Sequence, residues 1–556
     1  MKKINKIQIL LLLFLGFSFI SCETTDLDLL NDPNEITIEN GNLERFMVAI
    51  QVDYANFSED MGRNGGRLVR LEQMGSPSYA NAFDPASTNE EWGLAYQGMF
   101  SDIKIAEGLA IELEANKHLG VMKIIQASTL MTLVDYFGDV PFSEASNLTE
   151  FPNPSADDDA SVYAAALVML DEAIAYLNQD GLGLENDYFY ANDFDKWIKL
   201  ANTLKMNAYV NTRLVDANAA SNFNAIVNSG NYITSTDEDF QFTWDVVNNA
   251  DIDSRHPAYG ADYTSAGASR YRSNWLMDEM LYDNDPRRRY YFFRQNDCTP
   301  SGIGVDGDVC PAEPDTLFCS TDSRPSHYPG SMVFCWVDAG YWGRDHGFGG
   351  GIPPDSFSRT VVGVYPAAGN FDDDRFSSIG LELGGQGAGI TPIMLASWSQ
   401  FMISEMNLVS GNVGGANAAM QLGMEISIAK VMSFGSKDPE GDLSYAPTSG
   451  DVSTYISNTA DAFANASNDG RWEIFSLQHL KAHYGNGSDG YNMYRRTGYP
   501  HSLQFNIEEN PGNFVRSFFY PADEANTNSS IQQKSNVDGQ VFWDNNPPSP
   551  GFPSAN

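Results

Sequence analysis

Positive charge is scarce in this 556-residue chain, in which 33 lysine and arginine residues stand against 73 aspartate and glutamate residues, for a net charge of −40. Such a surface repels phosphate groups, so nucleic acids are excluded as expected partners and anionic headgroups are disfavoured. High acidity alone does not identify a ligand, because acidic side chains also keep proteins soluble in salt. We expect the acidic runs Asp157–Asp159 and Asp372–Asp374 to be solvated loops.

Catalytic motifs are also missing. The sequence contains no G-x-S-x-G, no H-E-x-x-H and no phosphate-binding loop, so we expect a protein that is not an enzyme. Exported glycan hydrolysis stays open as an alternative, because paired carboxylates are frequent in so acidic a chain. His479 and His483 lie four residues apart on a predicted helix. Without a third ligand nearby, we expect them at a helix surface or interface instead of on a metal.

Long apolar runs are absent apart from one at the start, Ile7–Ile20, which is too short to span a bilayer. Lys2, Lys3 and Lys6 precede the run, and a small residue followed by Cys22 ends it, as in a lipobox. We therefore expect residues 1–21 to be a lipoprotein signal peptide. Cys22 would be acylated and hold the chain on the outer face of the cell. The alternative is an ordinary secretory signal.

Cysteine is rare, and four of the five residues lie close together, at Cys298, Cys310, Cys319 and Cys335. An even, clustered set in an exported protein predicts two disulfides, and the sequence leaves all three pairings open. A zinc site is the alternative, but the spacing lacks the C-x2-C pairs that such sites use. No cofactor is expected otherwise. Asp306 and Asp308, in the same loop, offer the one candidate calcium site, with a plain turn as the alternative.

Helical periodicity dominates two parts of the chain. Apolar residues recur at three- and four-residue spacing, and the segments follow one another in pairs with short connections. Asn89 is a natural cap for the second helix, and Gly138 is expected to end the third. The predicted helices begin near Leu43 and include Trp92–Leu109, Leu119–Phe137, Val162–Leu177, Phe194–Val215, Pro392–Leu408, Ala416–Phe434, Val452–Phe463 and Arg471–His483.

This pattern predicts a mainly α fold, an α-solenoid of helix pairs with tetratricopeptide-like architecture. Between about 231 and 390 glycine and proline rise and the periodicity is lost, apart from a short stretch at 273–283. We expect a tether at 22–38 and one domain at 39–556. Its helical scaffold would occupy about 39–230 and 391–500, and the irregular, disulfide-stapled lobe about 231–390.

Five strings in this order resemble those of the SusD/RagB family of surface lipoproteins, in its SusD-like branch. Singly they are weak, but together behind a lipobox they are specific. The strings are LVDYFGDVPF at 133–142, DPR at 285–287, RRTGYP at 495–500, FFYP with Glu524 and Asn526 at 518–526, and VFWD at 541–544. One departure from the family pattern is that Arg516 is displaced by one position. We expect the strings to be scaffold, with Arg287 and Arg495 pairing with carboxylates between helices.

The resemblance implies a binding protein that closes, as a lid, over an outer-membrane barrel of the SusC type, which is TonB-dependent. Such a lid captures an oligosaccharide, or in some members a peptide, for import. Another outcome within the family is a structural subunit of a larger outer-membrane complex, which has lost its ligand.

Ligand contacts are expected in the irregular segment 328–351, which concentrates aromatic, charged and glycine residues. Sugar rings stack on aromatic faces, and their hydroxyl groups need polar partners. The alternative is that these aromatic side chains pack the lobe onto the helices. The candidate residues are Tyr328, Tyr341, Trp342, Arg344, Asp345 and His346.

Overall fold

Periodic apolar residues at the start of the scaffold form the buried face of a first helix, α1 (Leu43–Leu68), in a computed structural model of the protein. The side chain of Asn42 caps it by accepting the backbone N–H groups of Glu44 and Arg45 at 3.0 and 3.3 Å. The structure describes residues 42–145, 147, 149–249, 252–311, 317, 319, 322–349 and 355–552. The expected signal peptide, tether and Cys22 lie outside these residues.

The described fold is mainly helical, which confirms the predicted fold class. Successive helices pack as pairs, so each covers the apolar face of its neighbour. After α1 the helices are α2 (Tyr79–Ala82), α3 (Asn89–Gly93), α4 (Phe100–Glu112), α5 (Asn116–Phe137), α6 (Asp159–Leu177), α7 (Phe194–Thr212), α8 (Ala219–Ser229), α9 (Pro257–Asp262), α10 (Asn274–Tyr282), α11 (Arg288–Tyr291), α12 (Ala396–Val409), α13 (Val413–Ser433), α14 (Ser449–Asn465), α15 (Asn468–Ala482), α16 (Ser488–Thr497) and α17 (Ala522–Thr527).

The pair α5–α6 shows how closely the helices approach. A Cβ added at Gly120 of α5 would lie 2.5 Å from the Leu177 side chain of α6, so only glycine fits there. Among the described residues α6 is also the one helix long and apolar enough to cross a membrane, with a mean hydropathy of 1.5. It carries Asp171 and Glu172, which pair with Lys205 and Lys123 of neighbouring helices. We therefore assign α6 to the packed scaffold.

The predicted helix Trp92–Leu109 is interrupted. Residues Leu94–Met99 form a π-helical turn between α3 and α4. The expected cap was also wrong, because Thr88 stands at the N-cap position, without a side-chain capping bond, and Asn89 is the first helical residue. The end of α5 follows the prediction: Gly138 ends it with a φ of 72°, which glycine adopts without steric cost.

Three short antiparallel strand pairs fasten the connections to the helices. They are β1 (Val140–Pro141) with β2 (Ala156–Asp157), β3 (Phe240–Thr243) with β6 (Ile390–Met394), and β4 (Phe292–Phe293) with β5 (Val361–Val362). The helix predicted from Pro392 therefore begins only at Ala396. Proline disfavours helical backbone at the residue before it, and the neighbouring β-branched residues Thr391 and Ile393 favour the strand.

The acidic run Asp372–Asp374 is not the solvated loop that we expected. Asp372 is fully buried and accepts from Nε of Arg294 at 2.7 Å, while Asp373 pairs with Nε of Arg375 at 2.8 Å. The run at Asp157–Asp159 is only partly solvated. The Asp157 carboxylate accepts the backbone N–H of Phe142 at 2.8 Å and so ties β2 to the turn after α5.

Candidate functional site

Two disulfides staple the irregular lobe, which confirms that prediction and selects one of the three pairings. Cys298 bonds Cys310, and Cys319 bonds Cys335, with Cα–Cα separations of 5.8 and 5.4 Å. The second bond closes the loop that enters the segment 328–351. The ends of that loop are therefore fixed relative to each other, and its residues 322–335 lie in turns and irregular backbone.

The six side chains predicted to contact ligand are all buried. Their exposed fractions run from 1% to 6%, so none of them presents a face to solvent in this conformation. Their burial agrees with the alternative, in which these side chains pack the lobe onto the helices. They are Tyr328, Tyr341, Trp342, Arg344, Asp345 and His346.

Asp345 is the hub of this buried layer. Its carboxylate accepts the backbone N–H of Cys335 at 2.8 Å, Nδ2 of Asn274 at 3.0 Å and Nε2 of Gln504 at 2.7 Å. Burial raises its pKa, and these three hydrogen bonds oppose that rise. Asp345 therefore joins the disulfide loop, α10 and the chain after α16, which is a supporting role.

The neighbouring side chains are held in the same way. Nη2 of Arg344 donates to the carboxylate of Asp355 at 3.2 Å, and the Tyr328 hydroxyl donates to a backbone carbonyl at 2.8 Å. Trp342 packs in a small apolar cluster with the Cys319–Cys335 bond.

Burial and the charge of Arg70 hold the pKa of His346 well below its usual range, so its ring is neutral. Tyr341 lies under the guanidinium of Arg294, whose Cζ is 4.9 Å from the ring centroid.

Above this layer lies an open pocket of about 520 Å³, which we call the lobe pocket. Its aromatic wall is formed by Phe334 and Phe348, both half-buried and both packed on the cluster around Trp342. The segment 328–351 thus reaches the surface through neighbours of the residues that we selected. Gly350 and Gly351 lie outside the described residues.

Glycine geometry fixes Phe348 at the pocket. Gly347 has a φ of 80°, and its backbone N–H donates to the carbonyl of Met74 at 2.9 Å. A Cβ at Gly349 would lie 2.5 Å from the carbonyl oxygen of Gly75. The loop around Phe348 therefore lies directly against the chain that follows α1, and a larger residue at 349 would push it away.

Polar groups surround the aromatic wall. His327 donates from Nε2 to the carbonyl of Asn506 at 2.8 Å and lies parallel to Phe505, which fixes its ring. The pocket is also lined by exposed polar side chains, namely those of Glu508, Glu509, Asp322, Ser323 and Ser326. Apolar rings next to carboxylates and hydroxyl groups suit a ligand with apolar C–H faces and many hydroxyls.

Sequence reasoning missed Phe334, His327, Glu508 and Glu509. Phe348 carried a usable signal, since an aromatic residue between glycines is held by a backbone that only glycine allows. The two glutamates carried none, because they lie more than 150 residues from the segment along the chain.

The candidate calcium ligands form a turn. Asp306 and Asp308 are exposed, and Oδ1 of Asp306 accepts the backbone N–H of Asp308 at 3.0 Å. Within the described ranges they do not belong to any group of three potential ligands close enough to share an ion. Calcium binding there stays a prediction.

His479 and His483 do have a third potential ligand, Asp489, with the three ligand atoms within 4.8 Å of one another. The two imidazole rings stack at 3.9 Å and are 15° from parallel, so their in-plane lone pairs do not converge on one point. The other carboxylate oxygen of Asp489 accepts from Nη1 of Arg496 at 3.0 Å. Burial keeps the pKa of His483 well below its usual range. The trio therefore fits stacked, packed rings beside the Asp489–Arg496 ion pair better than a bound metal ion.

Comparison with known proteins covers most of the chain. Residues 52–323 match the sequence profile of the SusD-like family, which is described as starch-binding and associating with the outer membrane. A SusD/RagB family protein from Bacteroides thetaiotaomicron has the same fold, with a TM-score of 0.62 at 19% identity, over 90% of this chain and 98% of that one. Residues 52–323 therefore resemble the SusD-like family in sequence, and the fold is that of SusD/RagB proteins.

Two further structures have this SusD-like fold. A chitin-binding SusD homologue from Flavobacterium johnsoniae gives a TM-score of 0.63 at 15% identity, over 91% of this chain and 100% of that one. A SusD homologue from Bacteroides uniformis gives 0.61 at 16% identity, over 91% and 99%. At these identities the structures establish the fold alone. No curated protein matches the sequence.

The family strings are scaffold, as expected, but with different partners. Arg287 makes its bidentate pair with Asp285 of the same string, at 2.9 and 2.6 Å, and not with another helix. Arg495 donates to the carbonyl of Arg516 at 2.6 Å and, among the described residues, does not form an ion pair. Its neighbour Arg496 makes the bidentate pair between helices, with Glu405 of α12 at 2.9 and 2.8 Å.

Proposed function

We propose that this protein is a non-catalytic, lipid-anchored binding protein of the outer membrane that captures an oligosaccharide at the lobe pocket. It would act as the lid of a SusC-like, TonB-dependent barrel, through which the oligosaccharide is imported. The observation that carries the ligand part is the wall of Phe334 and Phe348 beside exposed carboxylate and hydroxyl side chains.

The chemistry of the lobe pocket favours a sugar. At about 520 Å³ it lies in the range of small-ligand sites and can hold a short stretch of an oligosaccharide. Phe334 and Phe348 offer apolar surface for the C–H face of a pyranose ring. Glu508, Glu509 and Ser323 offer hydrogen-bond partners for its hydroxyl groups.

The anchor and the partner rest on the N-terminal lipobox at Cys22 and on the family, which is described as associating with the outer membrane. A lid that stays on its barrel needs an interface well above 1,000 Å². The protein, tagged and extracted in mild detergent, should bring down a barrel protein of about a hundred kilodaltons, as the family resemblance suggests. Recovery as a monomer in several detergents would contradict the lid.

Binding is tested by calorimetry with starch fragments and chitin oligosaccharides, since these are the glycans that the family and a structural relative are described as binding. Phe348→Ala should weaken binding by roughly 1–3 kcal/mol, as loss of a central aromatic contact does. Phe357→Ala is the matched control, because Phe357 is 44% exposed in the same lobe but does not line the lobe pocket.

Equal affinities for the two variants would rule out the lobe pocket as the binding site. If the unmodified protein binds neither glycan, the structural-subunit alternative takes precedence. Turnover of the oligosaccharides by the purified protein would instead establish a hydrolase.

A further inference from the structure

The structure has a second, larger cleft, with a volume of about 740 Å³. Its walls are the turn between α10 and α11, the short 3-10 helix Leu443–Tyr445, and one face each of α14 and α15. It shares no lining residue with the lobe pocket. We call it the α14 cleft.

Tyr445 forms an aromatic wall of the α14 cleft that is fixed before any ligand arrives. Its side chain is 44% exposed, and Cζ of Arg289 lies 5.5 Å from its ring centroid. Arg289 is held in turn by Oδ1 of Asp374 at 2.7 Å and by the carbonyl of Asp372 at 2.9 Å. A ring that is already held loses little conformational freedom when a ligand stacks on it.

Polar side chains face Tyr445 across the α14 cleft. Asp451, Thr454 and Asn458 follow one another at helical spacing and so lie on one face of α14. Asn284, in the turn between α10 and α11, also lines the cleft. As far as the chain is described, the side chains of Thr454, Asn458 and Asn284 make no internal hydrogen bond, so their hydroxyl and amide groups are available to a ligand.

The floor of the α14 cleft is closed by satisfied groups. The Tyr455 hydroxyl donates to Oδ2 of Asp285 at 2.7 Å, and Nε2 of Gln478 donates to the Tyr455 oxygen at 2.9 Å. The polar groups of the floor are thus hydrogen-bonded to one another and do not need water or a ligand as a partner. Hydrogen bonding to the ligand falls to the free side chains on the walls.

We propose that the α14 cleft is a second carbohydrate site, which binds a short stretch of a neutral oligosaccharide with one pyranose ring against Tyr445. The proposal deepens the proposed function and rests on it. A cleft of 740 Å³ lies within the range of small-ligand sites. A second site on one lid would hold a long glycan at two points, which raises the overall affinity without new contacts.

The chemistry disfavours two other ligands. Extended peptides are recognised largely through unpaired backbone at a sheet edge, whereas the walls here are helices and a bonded turn. Acidic glycans are disfavoured by the net charge of −40, and of the two arginines that line the cleft Arg289 is already paired with Asp374 while Arg288 donates to the carbonyl of Leu281.

The test is calorimetry of the full-length protein with starch and chitin oligosaccharides long enough to reach one site but not both. The unmodified protein should bind two equivalents. Tyr445→Ala should weaken one of them at least about tenfold, whereas Tyr445→Phe, which keeps the ring, should bind as the unmodified protein does. Tyr188→Ala is the matched control, because Tyr188 has the same 44% exposure and does not line the α14 cleft. Circular dichroism confirms folding of each variant.

The lobe-pocket variant Phe348→Ala separates the two proposals. Phe348→Ala should bind one equivalent of oligosaccharide, at the α14 cleft. The double variant with Phe348→Ala and Tyr445→Ala should bind none. If Tyr445→Ala binds like Tyr188→Ala while Phe348→Ala loses its one equivalent, the second site is overturned and the proposed function stands. Loss of binding to a peptide library, but not to glycans, on Tyr445→Ala would overturn the carbohydrate assignment. If neither glycan binds the unmodified protein, both proposals fail.

Discussion

The indole Nε1 of Trp543 donates to Oδ1 of Asp135 at 2.8 Å, although the two residues are 408 positions apart in the chain. The other oxygen of the same carboxylate accepts from Nδ2 of Asn492 at 2.7 Å. Asp135 lies near the end of α5, in the string at 133–142, and Trp543 lies in the final string, at 541–544. The first and the last of the family strings are therefore connected through the core, and the last part of the chain closes the scaffold against α5.

Asp135→Ala should destabilise the protein strongly, because it leaves the buried N–H groups of Trp543 and Asn492 without an acceptor. Each such group costs about 1–3 kcal/mol, so we expect a loss of about 2–5 kcal/mol. Denaturant unfolding followed by tryptophan fluorescence measures it. Asp139→Ala is the control: its exposed carboxylate accepts one backbone N–H at 3.0 Å, and about 1 kcal/mol is expected. Similar losses for both variants would contradict the role of Asp135.

Trp342→Ala should lower the free energy of unfolding by about 3–5 kcal/mol, because it empties a space beside the Cys319–Cys335 bond. Thermal melting reports this loss. A ligand contact would instead show as weaker glycan binding at unchanged melting temperature. That result would restore the prediction from sequence and contradict the 5% exposure of Trp342.

Removing the two disulfides one at a time should affect stability in both cases and binding in only one. By loop-closure reasoning each bond contributes about 3 kcal/mol, so replacing either pair by serine should lower the melting temperature. Only loss of Cys319–Cys335 should also weaken oligosaccharide binding, because the loop it closes carries His327 and Phe334 of the lobe pocket. The pair Cys298–Cys310 is the matched control, since its loop does not line the pocket. Equal effects on binding would count against the pocket.

Stability should fall with rising pH because of Glu59. Burial raises the pKa of its carboxyl from 4.5 to about 7, and the hydrogen bond from Thr391 and the charges of Arg270 and Arg63 oppose this rise. Between pH 4.5 and 7 the unfolded chain loses this proton while the folded protein keeps it. The stabilisation present below pH 4.5 is thus lost as pH passes 7, by about 3 kcal/mol.

Glu59→Gln removes this titration and keeps an acceptor for Thr391. Relative to the unmodified protein, the variant should gain stability by up to about 3 kcal/mol between pH 4.5 and 8, measured by denaturant unfolding at each pH. Glu425→Gln, at an exposed position on α13, is the matched surface variant. A flat difference for Glu59→Gln would show that the carboxyl ionises normally.

Local patterns predicted the scaffold well because helix formation depends on near neighbours in sequence. The apolar spacing located α5, α7 and α15, and Gly138 marked the end of α5 because only glycine adopts its backbone at no cost. The same rules failed at Pro392, where pairing with β3, about 150 residues earlier, decided for a strand. They also failed at Asp372, which arginines from a distant turn draw into the interior.

The sequence by itself determined the helical scaffold, the presence of two disulfides and the segment that reaches a pocket, since periodicity, cysteine clustering and composition are local properties. Only the tertiary structure decided which cysteines pair and which aromatic rings face solvent. In a loop without helical or strand periodicity, the sequence pattern does not indicate which side chains face the interior and which face solvent. Trp342 lies inside and Phe348 at the surface because Asp345 binds three separate segments, and because Gly349 allows close contact with Gly75. Those partners meet only after the chain has folded.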